Sequence, residues 1–336
     1  MEQTPSRKMG ERASAGIIKS EDADEHREAV RPWDLRIGQM SPGKYRAITD
    51  YLGLNRVLGY RERCDRRSSI IGGTPSGYVL IGSPAPAASR IDWCGGEIHV
   101  GRLAFGTSST EVDILLPEGS HHVALLVRED LVLEQLGEGL GSRVLASGHH
   151  HLTCHPSVGA SFVRTVDHLV DRALEHPELL VDPGACKAME SQLVEVFFQT
   201  VGRTVPGEEP VTARGRRLAL QRAVAYAEDL RRPLSVAEFA AATGVGRRTL
   251  ELAFKESLQV SPLKYLRWSR MNAAHRDLIA ATPDSARVKD IATQWGFSEP
   301  GRFAVEYRRF FGEPPSETLR RRVRPLPMRL EDALRA

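Results

Sequence analysis

The stretch Ser235-Val236-Ala237-Glu238-Phe239-Ala240-Ala241-Ala242-Thr243-Gly244-Val245-Gly246-Arg247-Arg248-Thr249-Leu250 decides how the C-terminal part of the chain folds. Ser235 with Glu238 three residues on is a capping box that opens a short helix. Gly244 stops that helix, because glycine takes up left-handed backbone without a Cβ penalty. The next helix, Gly246–Leu258, begins within three residues and places Leu250, Ala253, Phe254 and Leu258 on one face. At 100° per residue, Arg248, Glu251, Leu252 and Lys255 fall on the other.

The same punctuation returns 52 residues later. Val288-Lys289-Asp290-Ile291-Ala292-Thr293-Gln294-Trp295 ends at Gly296, and Ser298 is the expected N-cap of the helix that follows. There Phe303, Tyr307 and Phe310 form the inner stripe, while Gly301, Ala304, Val305 and Arg308 point outward. Two short helices around a glycine turn, the second with a polar outer face, form the geometry that lays a helix into the DNA major groove. The helix expected between the units, Pro262–Ala281, spans ~30 Å. One duplex turn is ~34 Å. One chain could therefore present two such helices to successive grooves.

These residues carry a family resemblance. Gly244-Val245-Gly246-Arg247-Arg248-Thr249-Leu250-Glu251-Leu252-Ala253-Phe254-Lys255, then Val260-Ser261-Pro262, Tyr265-Leu266-Arg267 and Arg270-Met271-Asn272-Ala273-Ala274-His275, resemble the AraC/XylS family of bacterial transcription regulators. Ile291-Ala292, Gly296-Phe297-Ser298, Gly301-Arg302-Phe303-Ala304, Tyr307-Arg308, Phe311-Gly312 and Pro315-Ser316 complete the match, which covers roughly residues 213–322. The resemblance implies two helix-turn-helix subdomains on a linking helix, reading direct-repeat-like half-sites in promoter DNA. The sequence departs from the family at Gly246, where a capping serine is usual, and at Leu252, where an outward arginine is common; Val305 is the counterpart of Leu252. Arg248 is suited to guanine and Glu251 to a cytosine amino group, whereas Leu252, Ala304 and Val305 offer apolar contact to thymine methyls. Arg247, Lys255, Arg302, Arg308 and Arg309 are the expected phosphate contacts.

Charge agrees with that division. The 336 residues carry 46 Lys+Arg and 43 Asp+Glu, net +3, but residues 1–212 are net −7 and residues 213–325 net +10. An acidic part joined to a basic one confines a polyanion partner to the latter. No apolar run approaches the ~20 residues that span a bilayer, and no apolar leader opens the chain. Cys64, Cys94, Cys154 and Cys186 form no C-x-x-C pair, which fits a reducing compartment. A cytoplasmic location and no membrane partner are expected.

Four regions are expected: a disordered tail over 1–40, a cupin-like β sensor domain over 41–150, a helical linker or dimerisation segment over 151–205, and the DNA-binding domain over 213–325. The fold class is α+β, with an N-terminal cupin-like barrel or sandwich and an all-α C-terminal domain. Short β-rich runs between Ser69 and Val127, separated by Gly, Pro and Ser clusters, carry the first half of that reading. Val158–Glu175 and Pro183–Val201 read as helices. In the second, Met189, Leu193, Val196 and Phe197 form a stripe that suits either packing on its own domain or a homodimer interface.

The N-terminal domain loosely resembles the sensor domains of ethanolamine-type regulators, and Pro117-Glu118-Gly119-Ser120-His121-His122 echoes the second cupin motif. The first cupin motif is missing, and only His99 is offered in its place, so neither a metal nor any other cofactor is expected. His149-His150-His151 with Cys154 and His155 reads as a polar loop before a metal site, since adjacent residues rarely close a coordination sphere alone. Tyr78, Trp93 and Phe105 are candidate linings of an effector pocket, or plain core.

The function expected is a sequence-specific DNA-binding transcription regulator, not an enzyme, with the N-terminal domain sensing an effector, dimerising, or both. Promoter DNA is the expected partner, with RNA polymerase and a small-molecule effector as further candidates and a homodimer as the assembly. The alternatives are a cupin-type metalloenzyme fused to a DNA-binding module, and an architectural DNA binder without effector. The first would need metal ligands; the second would bind random duplex nearly as well as its site.

Overall fold

The computed structural model describes residues 13–85, 90–108, 110–147, 150–207, 211–228, 230–321 and 329–334. The chain opens with β1 (Ser14–Ser20), α1 (Ala23–Ala29) and β2 (Asp34–Gln39), and continues with β3 (Ala47–Leu54), β4 (Val57–Cys64), β5 (Ser68–Gly73) and β6 (Tyr78–Pro84). Next come β7 (Ile91–Trp93), β8 (Gly96–Ile98), β9 (Arg102–Gly106), β10 (Glu111–Leu116) and β11 (Ser120–Arg128). The strands form two antiparallel sheets, β1-β3-β4-β11-β6-β9-β12-β13 and β2-β5-β10-β7-β8, where β12 is His151–Cys154 and β13 is Thr204–Pro206. The architecture is a two-sheet sandwich and not a closed barrel.

The N-terminal segment corrects the expectation of a disordered tail over 1–40. From Ser14 onward it is ordered: β1 pairs with β3 from Ser14↔Gly53 to Ser20↔Ala47, and β2 pairs with β5 from Asp34↔Gly73 to Gln39↔Ser68. The mixed-charge run misleads because α1 is amphipathic on a short scale. Asp22 caps it through two backbone N–H groups, at 2.9 and 2.8 Å, and Ala23, His26 and Ala29 are buried.

Strand alternation separates two cores. In β11, Ala124 and Leu126 face the space between the sheets, while Val123, Leu125 and Val127 face the helices outside. Burial on both faces explains why this strand reads as a continuous apolar run. The outer face is covered by α2 (Glu129–Leu145), α3 (Pro156–Glu175) and α4 (Pro183–Val201). Met189, Leu193, Val196 and Phe197 are buried there against the sandwich and α3. The α4 stripe is thus satisfied within its own chain and gives no argument for a subunit interface.

The C-terminal part is helical: α5 (Val211–Glu228), α6 (Val236–Thr243), α7 (Arg247–Ala253), α8 (Pro262–Ala280), α9 (Val288–Gln294), α10 (Pro300–Phe311), α11 (Pro315–Arg320) and α12 (Leu330–Leu334). Met40 and Leu115 of the sandwich join the core formed by α5 to α8. In return, Leu330 and Ala333 of α12 are buried in the core of the sandwich. Gly53 makes room for that helix, since a Cβ there would lie 2.6 Å from the Ala333 carbonyl oxygen. No helix is long and apolar enough to cross a membrane among the described residues.

Candidate nucleic-acid interface

The first unit is built as its sequence dictates. Ser235 Oγ accepts from Glu238 N at 3.2 Å and Glu238 Oε2 accepts from Ser235 N at 2.8 Å, closing the capping box. Gly244 ends α6 at φ 64°. Gly246 is the N-cap of α7 and contributes no side-chain bond. Beyond Ala253 the helix widens into a π turn over Phe254–Leu258, which Gln259 ends in left-handed backbone. Leu250, Ala253, Phe254 and Leu258 are buried, with the Phe254 ring 5.8 Å from Phe239 and 5.1 Å from Tyr265. Arg247, Arg248, Leu252 and Lys255 are exposed on the other side and Glu251 is half-buried. Arg247 Nε donates to Glu251 Oε1 at 3.0 Å, so these two opposite charges are paired.

In the second unit the turn after α9 is fixed by Gly296, at φ 74°, where a Cβ would lie 2.6 Å from the Arg231 carbonyl oxygen. Arg270 of α8 is 6% exposed and donates to the carbonyls of Trp295 and Gly296, both at 3.3 Å, while stacking over Phe297. Burial lowers its pKa, and those carbonyls, together with that of Leu266, are what the buried guanidinium has in exchange for water. The N-cap of α10 is Glu299 and not Ser298; Pro300, at the first helical position with its φ already set, starts the helix without a side-chain cap.

Phe303, Tyr307, Phe310 and Phe311 of α10 are buried, Arg302, Val305, Arg308 and Arg309 are exposed, and Ala304 is half-buried. Leu252 at 39% and Val305 at 71% exposure leave two large apolar side chains facing solvent at matching positions of the two outer faces. Single exposed apolar residues are ordinary.

Helix α8 joins the units. Its 19 residues span about 28 Å. Tyr265 and Leu266 pack into the core of the first unit, Met271, Ala274 and Leu278 into that of the second, and Trp268 touches both. The sequence reading missed Arg267 and Glu306. Glu306 of α10 accepts from Arg302 Nε at 3.0 Å and Arg267 Nε at 3.0 Å. Burial raises its pKa, but the bonds and charges of Arg267 and Arg302 more than reverse that. One carboxylate thus holds two of the cations beside the outer face of α10.

The sandwich gathers a second set of polar groups. Trp93 lines a cavity between the sheets. Phe105 does not: on β9 Ala104 faces the cavity and Phe105 the helices. Tyr78 packs at the margin of the inner core. The cavity instead brings together His26, Glu62 and His122. His26 Nε2 lies 2.9 Å and His122 Nε2 3.8 Å from the Glu62 carboxylate, and the Tyr45 hydroxyl is 2.6 Å from His26 Nδ1. Burial raises the Glu62 pKa, yet His26, His122 and the Thr49 hydroxyl pull it down to about 2. Alternation along β4, with Tyr60, Glu62 and Cys64 facing inward, is the signal that could have found Glu62.

His149 lies outside the described residues. His151 is buried in β12 with Nε2 2.8 Å from the Trp93 carbonyl oxygen, and burial lowers its pKa to about 4. It serves the sheet, and His155 caps α3 through Ser157 N. No group of three or more His, Cys, Asp or Glu among the described residues is placed to hold a metal ion.

A family model described as a helix-turn-helix domain matches residues 239–321. The probable thc operon regulatory protein of Rhodococcus erythropolis is 44% identical over 104 residues, 31% of this chain and 30% of its own. The XylDLEGF operon transcriptional activator 1 of Pseudomonas putida is 32% identical over 133 residues, 39% of this chain and 38% of its own. The chain thus spans about a third of the length of these curated relatives. A solved AraC-type regulator from Chromobacterium violaceum is 34% identical across 31% of this chain and 92% of its own, with a TM-score of 0.29.

Proposed function

We infer that this chain, whose C-terminal third is a double helix-turn-helix domain of the AraC/XylS type, is a sequence-specific DNA-binding regulator of transcription. One observation carries the reading: two glycine-stopped units are buried against opposite stretches of one continuous helix, and each keeps an outer face open to solvent. A spacer of about 28 Å is close to the ~34 Å of a duplex turn, which suits α7 and α10 to successive major grooves. Arg248 and Glu251 would read base edges, Leu252, Ala304 and Val305 would meet thymine methyls, and Arg247, Lys255, Arg302, Arg308 and Arg309 would hold phosphates.

The sandwich is the sensor in this reading, with an effector, a second copy of the chain and RNA polymerase as further partners. An effector acts by differential affinity for two arrangements of the domains. The contacts of Met40, Leu115 and α12 across the domain boundary give such a preference a route to the DNA-binding helices.

The test is a footprint of the full chain on the promoter region beside its own gene, with isotherms on that duplex and on random duplex. The expected result is two protected major-groove segments one turn apart per protomer and a specificity ratio of at least ~10³. Near-equal binding to both duplexes would convert the reading to that of an architectural binder.

A further inference from the structure

The cavity between the sheets has unspent hydrogen-bonding capacity. It measures about 60 Å³. Its walls are mostly apolar, from Ile37, Ile70, Leu80 and Ile114 of both sheets, and Trp33 covers it after α1. Trp93 is 4% exposed, lines the cavity, and its buried indole N–H has no acceptor. An indole N–H can only donate, so leaving it dry has a cost that an oxygen atom in the cavity would remove.

His122 adds the complementary group. Its Nε2 faces the Glu62 carboxylate at 3.8 Å, and its buried Nδ1 has no partner. Burial lowers the His122 pKa, which keeps the ring neutral, and an ionised Glu62 draws the single ring proton to Nε2. Nδ1 is then an acceptor. Beside the His26–Glu62 pair, Tyr60 and Ser83, which also line it, the cavity offers one unanswered donor and one unanswered acceptor.

Charge and size narrow the occupant. No Lys or Arg lines the cavity, so an anion finds no counter-charge among the described residues. Glu62 is already answered by His26 at 2.9 Å, so a cation finds no free carboxylate. A cavity of roughly 150 Å³ takes benzene; by that scale this one, at about 60 Å³, takes roughly two to three heavy atoms. We propose that the sandwich cavity is a binding site for a small uncharged alcohol, whose oxygen accepts from Trp93 and whose hydroxyl donates to His122. This rests on the reading of the sandwich as the sensor and gives its ligand a chemical class.

The experiment uses the full chain and three probes of about three heavy atoms each, the size the cavity volume allows: ethanol, formate and dimethylammonium. Binding is followed by tryptophan fluorescence, since Trp33 and Trp93 both line the cavity. A saturable ethanol isotherm with a Kd of ~1–10 mM is expected, the scale that three heavy atoms permit. Trp93→Phe is expected to weaken it roughly fivefold to tenfold. Ala124→Val, which puts two methyl groups into the cavity, is expected to abolish saturation, with its Tm reporting that it folds, and it keeps the test decisive if Trp93→Phe does not fold. The proposal is overturned if formate or dimethylammonium saturates at lower concentration, if Ala124→Val leaves the isotherm unchanged, or if no probe saturates. Duplex binding by the same samples without probe tests the regulator reading separately.

Discussion

Gln39 and Asn272 exchange two hydrogen bonds across the domain boundary: Gln39 N donates to Asn272 Oδ1 at 3.2 Å and Asn272 Nδ2 donates to the Gln39 carbonyl at 3.0 Å. The last residue of β2 is thereby tied to the middle of α8. The Gln39 side chain goes elsewhere, its Nε2 donating to the carbonyls of Ser41 and Gly43 at 2.7 Å and of Phe310 at 3.0 Å. Sandwich, linking helix and α10 meet at this residue. Asn272→Ala leaves the buried Gln39 backbone groups without partners, and the expected loss is about 1–3 kcal/mol in urea unfolding. Since the pair runs through the Gln39 backbone, Gln39→Ala should retain it, and the two substitutions should be close to additive. A coupling above ~1 kcal/mol in the double-mutant cycle would contradict this assignment.

Arg248 and Arg309 are both exposed but sit differently on their helices. Arg248 lies in the first turn of α7, where a recognition helix meets base edges, and Arg309 near the end of α10. Arg248→Ala is expected to cost about 1–3 kcal/mol on the preferred site and to relax one base position. Arg309→Ala should weaken all duplexes about equally and reduce the salt slope by about one. Isotherms on the native site and its single-base variants separate the two; equal losses on every sequence for Arg248→Ala would remove its base-reading role.

Glu306 pairs with both Arg267 and Arg302. Its carboxylate accepts from both, and the pairs are 28–43% and 28–65% exposed, so each is worth little to stability. Glu306→Gln removes the negative charge and frees two cations beside the groove face. Binding to random duplex is expected to rise and its salt dependence to steepen by one to two phosphate equivalents. The specificity ratio should fall, because the gain is independent of sequence. Unchanged salt slopes would mean that Arg267 and Arg302 do not reach DNA.

The helix-turn-helix units were legible because their signals are local. Gly244 and Gly296 both adopt the left-handed backbone that their positions require, and the inner stripes around Phe254 and Phe303 are buried as the 3.6-residue period demands. Ser298 misled because a serine before a proline-started helix is a weaker signal than the proline itself. In the sandwich the decisive pairings are long-range. Nothing local in Ser14–Ser20 announces that it pairs with β3, and a helix as polar as α1 resembles a solvated tail until His26 is seen to meet Glu62. Phe105, open between pocket lining and plain core on sequence alone, is core on the helix side of β9, since a one-residue shift in strand register exchanges the two faces. The docking of α12 on β3 depends on a gap at Gly53 that no sequence pattern marks.

His275 links stability to pH. It is buried in the second unit, stacked on Phe311 with ring centroids 4.1 Å apart, and Nδ1 meets the Tyr307 hydroxyl. Burial first, then the charges of Arg321 and Arg276, lowers its pKa to about 3. An unfolded histidine titrates near 6.5. The folded state therefore takes up this proton less readily than the unfolded chain, so the contribution is fully present above pH ~6.5 and is lost progressively as pH falls toward 3. Thermal melts between pH 7.5 and 4.5 should show Tm falling with acidity, the more steeply below 6.5. His275→Gln keeps a polar group beside Tyr307 and cannot titrate. It is expected to cost about 1–2 kcal/mol at pH 7.5 through altered packing and to flatten the acid limb, so that the gap to the parent chain narrows as pH falls. A parallel pair of Tm curves would assign the acid sensitivity to other groups, with His151, lowered to about 4 by burial, the first to examine.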